Sequence, residues 1–227
     1  MPKNQARSLA PRNKTKTPAL PAQSLGEQAY VGIKRMILTH ELRAGDQINV
    51  ARLSEQLNLG RSPIHLAIHR LDREGLVDIL PRKGIMVKAE TLESFLELIA
   101  ARLLVEPYLT SLATEHATDE LLNNLEHLVA TGWEHDRRQN RLGGMEIDRL
   151  FHQTLYESSG NRILADFAGH LLDRSMRLWF RPASGISERP NVAELEALLN
   201  TIRKGDKAAA SKMMEDHIGS VRQKFLA

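Results

Sequence analysis

At 227 residues, with 42% hydrophobic and 26% charged side chains but only 4% aromatic, the chain can bury one large core or two modest ones, built mostly from Leu, Ile, Val, Ala and Met. It has no cysteine, which excludes disulfides and thiolate metal sites, and no apolar run of the length that predicts a membrane span or a secretory leader. The net charge of +3 is unevenly placed: residues 1–90 carry +7 and residues 91–227 carry −4, the footprint of a nucleic-acid module joined to a different one.

Residues 1–23 hold five Lys/Arg, four Pro and no acid, without periodicity, and read as a disordered basic tail. From Ser24 the pattern changes. Ser24 and Glu27 form a capping box, and Ala29, Ile33 and Ile37 share one face of a helix expected to end near Leu42, with Tyr30, Val31 and Met36 beside it. Gly45 supplies a turn. A shorter helix follows from about Val50 to Leu57, Asn58-Leu59-Gly60 turns the chain, and a third helix runs from about Arg61 to Glu74 before Gly75. Pro63 is tolerated because the first turn of a helix needs no donated N–H. VDIL and IMVK flank PRKG as a hairpin with Arg82, Lys83 and Gly84 at its tip.

Three helices followed by a hairpin make a winged helix-turn-helix over 24–89. Ala67, Ile68 and Leu71 point inward, Arg61, Ser62 and His65 lie on the outward edge, and His69 is expected to pack on the helix flank. Residues 88–91 read as a hinge. Beyond it the sequence is helical throughout, with segments at roughly 92–115, 118–139, 143–158, 161–185, 190–203 and 206–226. Breaks fall at Gly143-Gly144, Ser159-Gly160-Asn161, Pro182 to Pro190 and Gly205-Asp206. The fold class is therefore mainly α, a winged helix-turn-helix plus an antiparallel helix bundle over 92–227.

These residues resemble a known family. GDQINVARLSEQLNLGRSPIHLAIHRLDREGLVDILPRKGIMVKA is similar to the DNA-binding domain of GntR-type bacterial regulators. IAARLLVEPY with Arg102 and Glu106, DRLFHQTLYESSGN at 148–161 and GDKAAASKMMEDH ending at His217 resemble the FCD effector domain of the FadR-like branch. The resemblance implies a homodimer on a palindromic operator in double-stranded DNA, with the third helix in the major groove and the wing tip in the minor groove. By position it assigns DNA contacts to Arg52, Arg61, Ser62, Arg82, Lys83 and Gly84, side chains and amides suited to guanine edges and phosphates. The family usually has Arg-Glu where this chain has His65-Leu66. A neutral His offers one donor and one acceptor, so His65 reads an altered base or stands in solvent near the phosphates.

The resemblance also implies a divalent metal, zinc or similar, on the floor of a pocket for a small carboxylate effector. Asp148 and His152 are i, i+4 on one helix face, and His217 lies on the last helix. The family's further histidine falls at Leu195 here, leaving a carboxylate-His-His set. That set either holds the ion with open positions or is a group of polar residues hydrogen-bonded inside a pocket. Arg102 suits an effector carboxylate, or a salt bridge to Glu106. Arg174, Arg177 and His170 on the long helix are further pocket candidates, with Arg174 expected to bind the effector; Asn161 caps that helix, while Tyr156, Trp179 and Phe180 read as core. The sequence thus predicts an effector-responsive, cytoplasmic, DNA-binding repressor with no membrane partner. A metal-dependent hydrolase built on Asp148, His152 and His217, or an architectural DNA binder without an effector, are the alternatives.

Overall fold

The computed structural model describes residues 24–179 and 192–226. The basic tail over 1–23, the expected helical residues at 180–185 and 190–191, and the side chains of Arg177, Trp179 and Phe180 lie outside the described residues.

Ser24 starts the first helix, its hydroxyl accepting from the Glu27 amide at 3.2 Å, and α1 (Leu25–Leu38) follows. It stops earlier than the periodicity predicts. His40 takes a left-handed φ of 59°, and the Leu42 amide donates back to Met36 O, closing the end four residues short of Leu42. Gln47–Ile48 (β1) comes next, then α2 (Val50–Leu57), capped by Asn49. Asn58 in the left-handed region (φ 51°) makes the tight turn into α3 (Arg61–Arg73).

The hairpin pairs β2 (Val77–Leu80) with β3 (Gly84–Val87), and β1 adds to the other side of β3, giving an antiparallel sheet in the order β1-β3-β2. β1 was not foreseen: two residues are too few to show a period. Ala29, Ile33, Ile37, Leu53, Ile64, Ala67, Ile68, Leu71 and Val77 close one hydrophobic core around this unit. Val31, expected beside the core face, is 47% exposed, and His69, expected to pack on the flank, is exposed.

The second core is wholly helical. It is built by α4 (Leu92–Glu115), α5 (Asp119–Arg137), α6 (Arg141–Ser158), α7 (Arg162–Trp179), α8 (Val192–Arg203) and α9 (Lys207–Leu226). Thr91 caps α4 with a reciprocal Thr91/Ser94 capping box, Asn161 caps α7, and Asp206 caps α9. Gly143-Gly144 does not break the chain as expected. Asn140 caps the helix, and both glycines fall inside its first turn. Phe95, Leu109, Leu125, Phe151, Leu172, Leu198, Met214 and Ile218 fill the middle of this core, with α4 and α9 packed along each other at its centre. The expected hinge is pinned: Glu90 is buried and hydrogen-bonded to Arg174.

Candidate functional site

Two places concentrate unused polar chemistry. The first is the surface of α3 and the wing. α3 buries Ile64, Ala67, Ile68 and Leu71, so its 100° steps turn Arg61, Ser62, His65 and His69 outward. Gly60 precedes the helix without a side-chain cap, leaving the first-turn amides and Ser62 together at an exposed positive end. Leu66 is 65% exposed on this helix, an apolar side chain among polar ones. Arg52 on α2 is exposed nearby.

Arg82 (φ 63°) and Gly84 (φ 90°) form the wing turn, and the Gln47 side-chain amide donates to Lys83 O at 3.3 Å, fastening β1 to the tip. A Cβ at Gly84 would meet that amide at 3.0 Å, so a larger residue would strain the backbone at this φ and push the Gln47 amide aside. Asp72 accepts from the Ile79 amide at 3.2 Å and holds the hairpin to α3.

The second place lies inside the helical core. Asp148 and His152, one turn apart on α6, meet His217 from α9. His217 Nε2 lies 3.3 Å from Asp148 Oδ1, His152 Nε2 lies 4.0 Å from Asp148 Oδ2, and the two imidazoles are 5.2 Å apart. One donor atom from each falls within 4.8 Å of the others. Each histidine gives its Nδ1 to a glutamate at 2.7 Å: Glu106 of α4 for His152, Glu194 of α8 for His217. Both Nε2 atoms are thereby turned toward Asp148. The Nε2 of His152 is fully buried and has no hydrogen-bond partner.

The electrostatics follow from this packing. Burial alone would raise the Glu106 carboxyl, but the Arg102 guanidinium and His152 beside it push it down to about 2. Burial works against a charge on His217, yet its hydrogen bonds to Asp148 and Glu194 outweigh it and raise the imidazole to about 9. Asp148 is lowered despite its burial, because His217 hydrogen-bonds to it. The Tyr156 phenol, 3.4 Å from His152 Nδ1, is raised by burial and by Glu106.

A divalent metal fits this donor set. An orphaned buried imidazole nitrogen, a second imidazole nitrogen and a carboxylate converge, and a carboxylate on each Nδ1 fixes the tautomer that leaves Nε2 as the ligand. Leu195, at the family's histidine position, is buried in the apolar core and supplies no donor.

Of the two arginines expected near an effector, neither guanidinium is idle. Arg102 grips Glu106 through Nε and Nη2 and donates Nη1 to Ser175 Oγ at 3.0 Å. It reaches the cluster through Glu106, so the salt-bridge reading of the sequence describes it. Arg174 does not join the cluster: it makes a two-pronged bond to Glu90 at the linker (2.9 and 3.2 Å) and lies against Gly75. His170 faces Glu74 at 3.7 Å. The site also contains residues that sequence reasoning missed. Glu106 was visible only as Arg102's partner, and Glu194 had no signal, since its partner lies on another helix.

The chain matches the family model for the FCD domain over residues 97–220 and that for bacterial regulatory proteins of the gntR family over residues 25–87. The HTH-type transcriptional repressor NanR of Escherichia coli is 27% identical over 228 residues, spanning 89% of this chain and 84% of NanR. The HTH-type regulator YdhC of Bacillus subtilis is 29% identical over 64% of this chain and 66% of its own length. The Nta operon transcriptional regulator of Aminobacter aminovorans is 28% identical over 57% of this chain and 61% of its own length. The chain thus spans less than two thirds of either of these two relatives. Among solved structures, E. coli McbR/YncC superposes with a TM-score of 0.81 over 90% of this chain and 98% of that one, at 19% identity. A putative GntR regulator from Rhodococcus sp. RHA1 gives 0.72 over 88% and 97%, at 15% identity. At these identities the likeness to the solved structures is one of fold.

Proposed function

This chain belongs to the GntR family of bacterial transcriptional regulators, in the branch that carries an FCD domain, and from that premise we propose that it is an effector-responsive repressor of a metabolic operon. In this reading it binds a palindromic operator as a homodimer in the cytoplasm and is released by a small carboxylate ligand. As a transcriptional regulator it is not an enzyme, so Asp148, His152 and His217 bind rather than catalyse. The observation that carries the reading is the union of the outward polar edge of α3 with a buried histidine-carboxylate cluster in the other core. An architectural DNA binder would have no use for that cluster.

On the DNA side, Arg61, Ser62 and His65 enter the major groove, Arg52 and the first-turn amides of α3 take phosphates, and Arg82, Lys83 and Gly84 meet the backbone beside the minor groove. In the helical domain, Asp148, His152 Nε2 and His217 Nε2 hold a divalent ion such as zinc. With three protein ligands, the bound ion would offer open positions to a carboxylate oxygen. Glu106 and Glu194 orient the two imidazoles, and Arg102 holds Glu106. Arg174 fastens the linker. Ligand binding at this cluster shifts the head arrangement by its difference in affinity between two arrangements. The homodimer is supported by apolar side chains left in solvent on two packed helices: Leu104 (81% exposed) and Tyr108 on α4, Ile163 (83%) and Phe167 on α7. Among the described residues no helix is long and apolar enough to cross a membrane.

The test is fluorescence anisotropy of the zinc-supplemented protein on labelled promoter fragments. The expected result is salt-dependent binding to one palindromic fragment that a specific small organic acid reverses. Equal affinity for every fragment, unmoved by a panel of acids, would overturn the reading in favour of an architectural binder.

A further inference from the structure

Three consecutive residues of α7 face three different parts of the molecule. Ser175 accepts from Arg102, whose partner Glu106 holds His152. Arg174 clamps Glu90 in the linker. Asp173, only 2% exposed, binds the DNA-binding unit: one carboxylate oxygen takes the ammonium of Lys34 on α1, and the other accepts from Arg149 Nε at 3.0 Å. Arg149 is the residue after Asp148 on α6.

On the other side, Lys34 passes the contact inward to α3. Its ammonium donates to Tyr30 Oη at 2.6 Å and lies 3.4 Å from Glu74 Oε2, and Tyr30 donates to the same oxygen at 2.7 Å. Arg70, on the last turn of α3, bonds Glu74 at 3.1 Å and stacks over the Tyr30 ring at 3.5 Å. The chain of contacts therefore runs from the recognition helix through α1 to α7, and on through Ser175, Arg102 and Glu106 to His152.

The join around it is not closely packed. A cavity of about 810 Å³ opens between α1 and α6/α7, lined by Tyr30, Lys34, Arg70, Arg149, Tyr156 and Asp173. At its C-terminal end α1 lodges Leu38 in the helical core, and along the cavity the ion pairs set the angle it takes about that anchor. Lys34 and Asp173 keep 12% and 3% of their side-chain surface in solvent, so removing either one takes a close charge partner from a desolvated group and leaves Asp173 only Arg149, or Lys34 only Glu74 and Tyr30.

We propose that Asp173 is the positioning residue that sets the angle of the DNA-binding unit on the helical domain. A rearrangement at Asp148, His152 and His217 reaches the unit through Arg149 and Ser175, which flank it in the network. This second step rests on the metal reading above; the first does not.

Because the chain has no cysteine, Gln56→Cys and Glu120→Cys, both at exposed positions on α2 and α5, give a spin-label pair across the join in the full chain. With labelled chain diluted into an excess of unlabelled chain, so that only the pair within one protomer is read, double electron–electron resonance is expected to show one narrow distance distribution. Asp173→Asn and Lys34→Met should each broaden it, and the double variant should be no broader than either single one, as for two ends of one contact. Circular dichroism checks that each variant is folded, and Lys34→Met leaves Asp173 its Arg149 partner should Asp173→Asn not fold. Unchanged distributions, or single effects that add, would overturn the proposal. Zinc chloride is then titrated, with bound metal counted by mass spectrometry. A zinc-dependent shift in the parent that both variants lose, at unchanged stoichiometry, supports the second step, and a shift that survives in them overturns it. Absence of bound zinc in the parent strikes the metal reading and leaves the first comparison to decide the role of Asp173.

Discussion

His152 and His217 come from different helices yet are set in the same way, Nδ1 on a glutamate and Nε2 toward Asp148. The consequence is chemical. Without metal, the imidazolium of His217 sits between two carboxylates and its pKa rises from 6.5 to about 9. A folded pKa above the unfolded value means that the charged form stabilises the fold. That contribution is full below pH 6.5 and is lost as pH climbs through about 9. Thermal unfolding of metal-free protein should therefore show a midpoint falling across this window, and His217→Ala should flatten that fall. A metal has to displace the same proton, so zinc uptake at neutral pH should release about one proton, read by calorimetry in buffers of different ionisation heat. Glu194→Gln keeps the size of the side chain and removes its charge from His217. Zinc affinity should drop about 10–100-fold in that variant, as for other outer-shell partners, with Asp148, His152 and His217 all in place.

At the scale of elements, α3 is a helix whose inward face is fully apolar, so its outward face is free to be chosen for what it touches. His65 occupies the leading edge where the resembling family carries arginine, and it keeps hydrogen-bonding capacity but not the two-pronged fork. His65→Arg should regain discrimination for guanine at one operator position, by about 1–3 kcal/mol for a good two-pronged contact. Selection from a randomised operator library reads this directly, and an unchanged preference would place His65 outside the groove. The sheet shows the other side of element design. β1 is short, but it pairs with β3 and lends Gln47 to the wing tip, so the strand that sequence patterning misses is the one that orients Lys83. The wing and α3 are tied as well, through Asp72 and the Ile79 amide.

For the whole molecule, the DNA-binding unit meets the helical domain across ion pairs and a cavity, while the helical domain leaves Leu104, Tyr108, Ile163 and Phe167 exposed on α4 and α7. Four large apolar side chains on two neighbouring helices support the proposed contact with a second copy. The parent chain should have a dimer's mass in multi-angle light scattering, and Leu104→Glu with Tyr108→Glu should bring it to a monomer's with α-helical content retained. Operator affinity should fall with it, since two heads no longer bind together. A parent of monomer mass would overturn the proposed dimer, and a dimer mass kept by the variant would place the contact elsewhere.

What the sequence by itself determined is what short-range physics determines. Caps such as Ser24, Asn161 and Asp206 act within three residues, and apolar periodicity acts within two turns, so helix positions, the α2–α3 turn and the hairpin were legible with small shifts at the ends. The Asp148/His152 pair and the Arg102/Glu106 pair were legible for the same reason, being one turn apart. The tertiary structure decided the rest: Glu106 on His152, Glu194 on His217, Arg174 on Glu90 rather than at the cluster, and Lys34 on Asp173. Those meetings depend on how far each helix is rotated and tilted in its core. No residue sets that alone; it is the sum of all the packing in Phe95, Leu109, Phe151, Leu172 and their neighbours.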